Sequence, residues 1–466
     1  MAKNPMEFLD LDDRVFCSVT PFNEFGHFAA KAAGCKIDPD HLMEPKIFTG
    51  SEFCPEFTVI KDGRMVDRKN LDEMTQGSVV VEGKTVYIIA NPNHHLSAQE
   101  TLGRILFTAD AAKQNGADKV VLIQSDLGYG RQDRSPREDV KLKGQSYAAL
   151  LQAKVFNAAG IDNVLTMHLH SNKIYHAFGQ AYMAGGGDTI ADERLLLLKR
   201  LQRGDYSSDD QRSQYEGRVS LIESQLEREG RKIVYNLDPN WVLAHYLLNR
   251  SSLDTSDLGS KIVFIAPDKG AKVNIDRLKA LMFLPNSSVA YCKKVRASPN
   301  DPNDVTVDLD GFSDNFTGIE GKYIIIADDI VDTGGTLTQC MKGLLRGYEG
   351  QVPAGIYLCF THAVLASFES ENNFQKVQRR LGSVDPTEIV MFNTHPYIED
   401  HRIPKWKERG TVLRIANLMA DSVHCVENGI FPQDYYKVES REQLDARFGK
   451  LYDVKRSSMH FLRNAA

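Results

Sequence analysis

The sequence predicts an α/β protein whose sheets are mostly parallel and flanked by helices. Short β-branched runs alternate along the chain with amphipathic stretches of helical length. Most of those runs are continuously apolar, as expected of strands covered on both faces. The chain has 466 residues, 42% hydrophobic and 25% charged. That is ordinary globular usage, long enough for two to three domains at about 150 residues each.

The strand-like runs, in order, are Val86–Ala90, Lys119–Gln124, Asn163–His168, Lys261–Ala266, Ser288–Cys292, Tyr323–Ala327, Ile356–Phe360 and Glu388–Phe392. Helical patterns run over Ser97–Asn115, Gly144–Ala158, Lys272–Phe283, Gly335–Leu345, Ala363–Leu381 and Asn417–Glu427. Ser97 followed by Glu100 predicts a capping box at the start of the first helix. Strand–helix alternation argues for βαβ units, in which ligands gather at the carboxyl ends of the strands. Two stretches break the alternation. Residues 188–260 are helix-like and strongly charged, and from about Ile430 the chain reads as a polar tail.

Charge and cysteine usage exclude several classes. Lys plus Arg number 56 and Asp plus Glu 62, a net charge of −6 that disfavours nucleic acid as a partner. No run of about 18 apolar residues suggests a membrane span, and the first residues lack a signal-peptide pattern. Seven cysteines without a CxxC pair read as reduced thiols of a cytoplasmic protein.

The most informative string runs from Ile324 to Leu337: a buried strand, then Asp328-Asp329-Ile330-Val331-Asp332-Thr333-Gly334-Gly335-Thr336 opening a helix. Small residues at a helix N-terminus present backbone N–H groups to a phosphate, and Thr333 and Thr336 add hydroxyl donors. Asp328 and Asp329 repel phosphate, so their use is to accept from sugar hydroxyls or approach a metal. Together these read as a sugar-phosphate site. The string resembles the phosphoribosyl-pyrophosphate (PRPP) loop shared by type I phosphoribosyltransferases and ribose-phosphate pyrophosphokinases, the PRPP synthetases. The first family consumes PRPP and the second makes it, and the loop does not choose between them.

Other segments favour the synthetases. Tyr129-Gly130-Arg131-Gln132-Asp133-Arg134 offers a guanidinium suited to phosphate and an amide suited to adenine or ribose. It resembles the synthetases' ATP-contacting Y-x-R-Q-D-[RK] segment, which implies Arg131, Gln132 and Asp133 as ATP-binding. Met167-His168-Leu169-His170-Ser171 places two histidines two apart on a predicted strand, pointing the same way. It resembles the D-L-H segment whose His ligates magnesium, which implies His170; His168 stands where the family has an acid. Ala266-Pro267-Asp268-Lys269-Gly270-Ala271 resembles P-D-x-G-G and implies Asp268 at a second metal site or the ribose phosphate. Cys292-Lys293-Lys294-Val295-Arg296 is expected to leave its strand at Cys292 and enter a mobile loop. Its K-x-R spacing resembles the family's flexible catalytic loop and implies Lys294 and Arg296 over the transferring diphosphate. Lys46 to Glu52 resembles the family's opening strand, K-I-F-x-G-S. Phe48 to Glu52 also resembles the adenine loop F-x-[DN]-x-E of a neighbouring subunit, but Gly50 replaces its middle acid, so the opening strand is preferred. Tyr175 and His176 lie where the family's regulatory site begins.

The resemblance spans about Lys46 to Asn428, interrupted by insertions. It implies a Mg2+-dependent ribose-phosphate diphosphokinase of type I phosphoribosyltransferase-like fold, moving the β,γ-diphosphate of ATP to ribose 5-phosphate and releasing AMP. Asp328 and Asp329 would hold the ribose hydroxyls, Asp332 to Thr336 the 5-phosphate, and His170 with Asp268 the magnesium. The family forms dimer-based homo-oligomers, up to hexamers. Alternatives are the same chemistry on a 5-substituted ribose phosphate such as ADP-ribose, an inactive regulatory subunit, and a phosphoribosyltransferase. The expected division is an N-terminal α/β domain over 1–185, a charged helical insertion over 186–260, a C-terminal α/β domain over 261–430 and a polar tail over 431–466.

Overall fold

The computed structural model describes residues 13–20, 34, 43–49, 51–92, 96–183, 186–296, 305–365, 371–395, 398 and 409–456. The chain forms two compact units: residues 1–237 with 419–435, and residues 238–418 with 436–466.

The first unit is built on five parallel strands in sequential order: β1 (Arg14–Ser18), β2 (Thr85–Ile89), β3 (Lys119–Ile123), β4 (Asn163–Met167) and β5 (Val234–Leu237). Val86, Ile88, Val120, Leu122 and Val164 form the core with Ile105, Ala109, Phe156 and Phe178. Those last four come from helices α1 (Ala98–Gln114), α2 (Ala148–Ala158) and α3 (Lys173–Tyr182). The capping box forms: Ser97 Oγ accepts from Glu100 N at 3.1 Å, and Glu100 Oε2 accepts from Ser97 N at 2.7 Å. The sheet does not open at Lys46. Its first strand is β1, while Met43–Ile47 pairs antiparallel with Phe53–Phe57 in a separate hairpin. Phe48 N donates to Glu52 O at 3.0 Å to close that hairpin's turn.

The charged stretch forms a helical hairpin, α4 (Gly187–Arg203) and α5 (Asp209–Ile233). Gly204 ends α4 at φ 70°, and Ser208 caps α5 by accepting from Gln211 N. Leu197, Val219, Ile222 and Leu226 make a small apolar seam, flanked by ion pairs Arg218–Glu193 and Arg194–Glu223, each 2.7 Å. Helix α5 lies directly on α3. A Cβ at Gly230 would stand 1.9 Å from Tyr175 O, and one at Gly179 2.0 Å from Leu226 O. Arg231 stacks on the Tyr175 ring, 4.4 Å from its centroid. The hairpin ends well short of residue 260. Residues 234–237 are β5, and helix α6 (Asn240–Asn249) is buried in the second unit, with Trp241, Val242, Ala244, Tyr246 and Leu247 in its core.

The second unit carries eight strands: β6 (Ile262–Ala266), β7 (Ser288–Arg296), β8 (Val305–Phe312), β9 (Tyr323–Val331), β10 (Gly355–Ala363), β11 (Glu388–Phe392), β12 (Gly410–Arg414) and β13 (Asp453–Arg456). Their order is β8-β7-β6-β9-β10-β11-β12-β13, parallel except for the two edge strands β8 and β13. From β6 the chain steps outward to β7, and from β9 it steps the other way, so the order reverses between β6 and β9. That is the switch point at which α/β sheets bind ligands. Helices α7 (Lys272–Leu281), α8 (Gly335–Gly347) and α9 (Glu371–Gly382) follow β6, β9 and β10. Strand β10 runs to Ala363, so α9 starts later than its apolar pattern suggests. The tail is folded, not merely polar. It adds helix α10 (Arg441–Phe448) and β13, and Trp241 stacks on Phe448 at 5.8 Å between ring centroids.

Candidate functional site

In the second unit the switch point is lined by carboxylates. Apolar Ile324–Ala327 seats β9 in the sheet, and Asp328 and Asp329 extend it toward its carboxyl end. Asp268 follows the adjacent strand β6, and its Oδ1 accepts from Ala271 N at 3.1 Å, closing the turn into α7. Asp328 Oδ1 accepts from Asp329 N at 3.1 Å. Burial, then the charges of Asp329 and Asp268, hold the Asp328 carboxyl well above its ordinary range. Grouped, mutually repelling carboxylates are the oxygen donors a hard divalent cation takes, so the residues present fit magnesium. Ionising Asp328 costs stability. Its favourable contribution is complete below the ordinary carboxylate pKa and is lost as pH rises through the raised one. Asp328→Asn is therefore expected to raise the Tm of the ligand-free protein by about 2–4 °C at pH 8. The gain should shrink toward pH 4; a thermal scan showing a lower Tm at pH 8 would contradict it.

Residues Asp332 to Gly334 turn the chain into α8. Gly334 sits at φ 69° as the cap, and as a glycine it supplies no side chain of its own to the first N–H groups of the helix. A side chain at 334 would be strained by that φ and would meet Leu381 Cδ2 at 3.0 Å. Thr338 Oγ1 donates to Gly334 O at 2.7 Å and steadies the first turn. The result is a short loop of backbone donors, with the Thr333 and Thr336 side chains at or near the surface.

The basic segment differs from expectation. Strand β7 continues through Lys294 and Arg296, and Lys294 pairs with Val307 and Arg296 with Val305 across the antiparallel ladder to β8. The cations stand on a β-ribbon rather than entering a loop at Cys292. An antiparallel edge ribbon has faces open to water and tolerates charged residues, which an apolar-run criterion misses. Lys293 Nζ lies 4.0 Å from Asp310. The side chains of Lys294 and Arg296 lie outside the described residues.

In the first unit, Tyr129 takes φ 61°, and Gln132 N donates to Tyr129 O at 3.0 Å. Ala149 N donates to Gln132 O at 3.2 Å, anchoring the turn to α2. Arg131 and Gln132 are exposed, whereas Asp133 is buried and accepts from the Ser171 hydroxyl. Asp133 thus holds the turn 129–134 against the segment carrying His170. The two histidines do not continue β4: the strand ends at Met167, His168 has φ 50°, and the alternation that would align them is lost. His170 is exposed on the following bend.

Comparison with known proteins accords with this arrangement. Residues 64–160 match the N-terminal domain of ribose phosphate pyrophosphokinase, and residues 246–373 match the phosphoribosyl transferase domain. A ribose-phosphate pyrophosphokinase of Gloeobacter violaceus is 26% identical over 328 residues, 70% of each chain. One of Clostridium acetobutylicum is 24% identical over 395 residues, 83% of this chain and 95% of the relative. The crystal structure of phosphoribosylpyrophosphate synthetase from Mycobacterium smegmatis matches the fold with a TM-score of 0.58. It is 20% identical and covers 90% of this chain and 100% of that one. The fold is of the type I phosphoribosyltransferase class. Within that class the chain is similar to the ribose-phosphate pyrophosphokinase enzymes, at about a quarter identity over most of its length.

Two contacts at these sites have no counterpart in the sequence reading. The Ser171 hydroxyl holds Asp133. Arg380 Nη1 donates to Thr333 O at 3.3 Å. Both are tertiary contacts between distant segments, so no local pattern announces them. Among the described residues, no helix is long and apolar enough to cross a membrane, and the six described cysteines form no disulfide.

Proposed function

We propose that the chain moves the β,γ-diphosphate of ATP to the anomeric hydroxyl of ribose 5-phosphate, giving PRPP and AMP. The observation that carries this is the loop 328–336 at the switch point, where paired carboxylates stand beside a glycine-capped helix N-terminus. Asp328 and Asp329 accept from the ribose 2- and 3-hydroxyls, while Asp332 to Thr336 hold the 5-phosphate. Arg131 and Gln132 bind ATP, and Asp133 shapes their turn. The hairpin turn at Phe48–Glu52 suits the adenine-loop resemblance better than an opening strand does. The attack forms a bond from the anomeric oxygen to Pβ and breaks the Pα–O–Pβ bridge, whose oxygen leaves with AMP. Such transfer depends on alignment and charge neutralisation more than on covalent help. Lys294 and Arg296 neutralise charge on the moving group. In the first unit His170, and in the second Asp268, would each serve as a magnesium ligand; magnesium when bound supplies further neutralisation at the phosphate oxygens.

Incubation of the protein with ATP and Mg2+ should yield AMP and PRPP when ribose 5-phosphate is the acceptor. AMP formed only with ADP-ribose would transfer the chemistry to 5-substituted acceptors. No AMP with either acceptor would overturn the proposal.

A further inference from the structure

Helix α9 runs against the loop proposed to hold phosphate. Val377 Cγ1 and Leu381 Cδ2 fill the space beside Gly334, 3.6 and 3.0 Å from where a Cβ would be. One turn of the same helix brings Arg380 to the loop backbone, where its Nη1 donates to Thr333 O at 3.3 Å. The bond to Thr333 engages one of the five N–H donors of the guanidinium fork. Arg380 is exposed, so the fork is accessible from solvent beside the loop.

The electrostatics of the loop call for such a cation. Asp328, Asp329 and Asp332 place three carboxylates within five residues of sequence. The α8 N-terminus offers only about half a positive charge. A sugar 5-phosphomonoester brings about −1.5 to −2 near pH 7. Backbone donors supply direction but not net charge, and the residues from Ile330 to Thr336 include no Lys or Arg. The guanidinium anchored to Thr333 O stands at the backbone of the loop proposed to cradle that phosphate.

We propose that Arg380 is a substrate-binding residue that neutralises the 5-phosphate and favours a 5-phosphomonoester over a substituted 5-diphosphate such as that of ADP-ribose, whose phosphorus next to the ribose carries one charge. This rests on reading Asp332–Thr336 as the 5-phosphate loop.

The test compares wild type, Arg380→Lys and Arg380→Gln in steady-state turnover with saturating ATP and varied ribose 5-phosphate. Arg380→Gln should raise KM for ribose 5-phosphate about tenfold, the order expected for one charge-assisted hydrogen bond, and leave KM for ATP unchanged. Arg380→Lys should stay within about threefold of wild type, because it keeps the charge. Preference for ribose 5-phosphate over ADP-ribose as acceptor should narrow in Arg380→Gln. If Gln restores as much as Lys, the residue only steadies the Thr333 carbonyl and the inference is wrong. An unchanged KM for ribose 5-phosphate in Arg380→Gln sinks it equally. If wild type forms no PRPP, the reading of the loop's reaction fails first. Calorimetric titration of ribose 5-phosphate into wild type and Arg380→Gln then decides on Arg380 alone. Binding about tenfold weaker supports it, and equal binding overturns it.

Discussion

Lys294→Ala is expected to lower kcat for PRPP formation by about a hundred- to a thousandfold, the scale seen when one preorganised charge-stabilising donor is removed. The developing charge lies on the moving diphosphate and on the leaving AMP oxygen, and a fixed cation there stabilises the transition state more than the bound substrates. The fold should hardly notice. Position 294 lies on the antiparallel ribbon, paired through its backbone with Val307, and Ala keeps that ladder intact. Lys293, one residue earlier and beside Asp310 at 4.0 Å, is the internal control. An exposed pair of that kind contributes about 0–1 kcal/mol, so Lys293→Ala should alter turnover little. Steady-state assays of the two variants check this; equal turnover in Lys294→Ala and wild type would remove the assigned role.

The largest effect on stability is expected at Gly230. Helices α3 and α5 touch backbone to backbone, and a Cβ at 230 would stand 1.9 Å from Tyr175 O and 2.6 Å from Tyr175 C. The obstacle is main chain, so no side-chain rotation relieves it, and the helices must part. Gly230→Ala should cost about 3 kcal/mol, the upper end of ordinary overpacking, or roughly 6–12 °C in Tm for a unit of this size. Gly217 lies on the same helix with nothing within 4 Å of its would-be Cβ. There the better helix propensity of Ala wins, and Gly217→Ala should stabilise by about 0.5–1 kcal/mol. Opposite signs at two glycines of one helix are a stringent thermal-melt test. Equal small shifts would mean that α5 does not pack on α3 as described.

How much was legible depended on whether the signal was local. Strands β2, β3, β9 and β11 announced themselves because both faces are covered and their sequences are continuous apolar runs. The string from Asp328 to Thr336 was legible for the same reason: strand, acids, turn and helix start follow one another within one segment. Strand β1, Arg-Val-Phe-Cys-Ser, did not stand out because its apolar run is only Val15 to Cys17, between a charged and a polar residue. Strand β5 and helix α6 were hidden inside a stretch read by its charge, although Trp241 to Leu248 is an apolar run that belongs to a core. The ribbon β7–β8 and the tail strand β13 are edge elements, with polar residues on open faces, so apolar continuity stops short of their ends. His168 shows how one backbone angle undoes a periodicity argument. A φ of 50° ends the strand before the histidine pair that an unbroken strand would align. The roles of Ser171 and Arg380 arise only when distant segments meet.

The most direct measurement uses ATP carrying 32P at the β-phosphorus, incubated with the protein, Mg2+ and ribose 5-phosphate, with products separated by chromatography. Diphosphoryl transfer predicts that the label appears in PRPP and that AMP is unlabelled. Label retained in ADP, or released as free phosphate or pyrophosphate without PRPP, would contradict it.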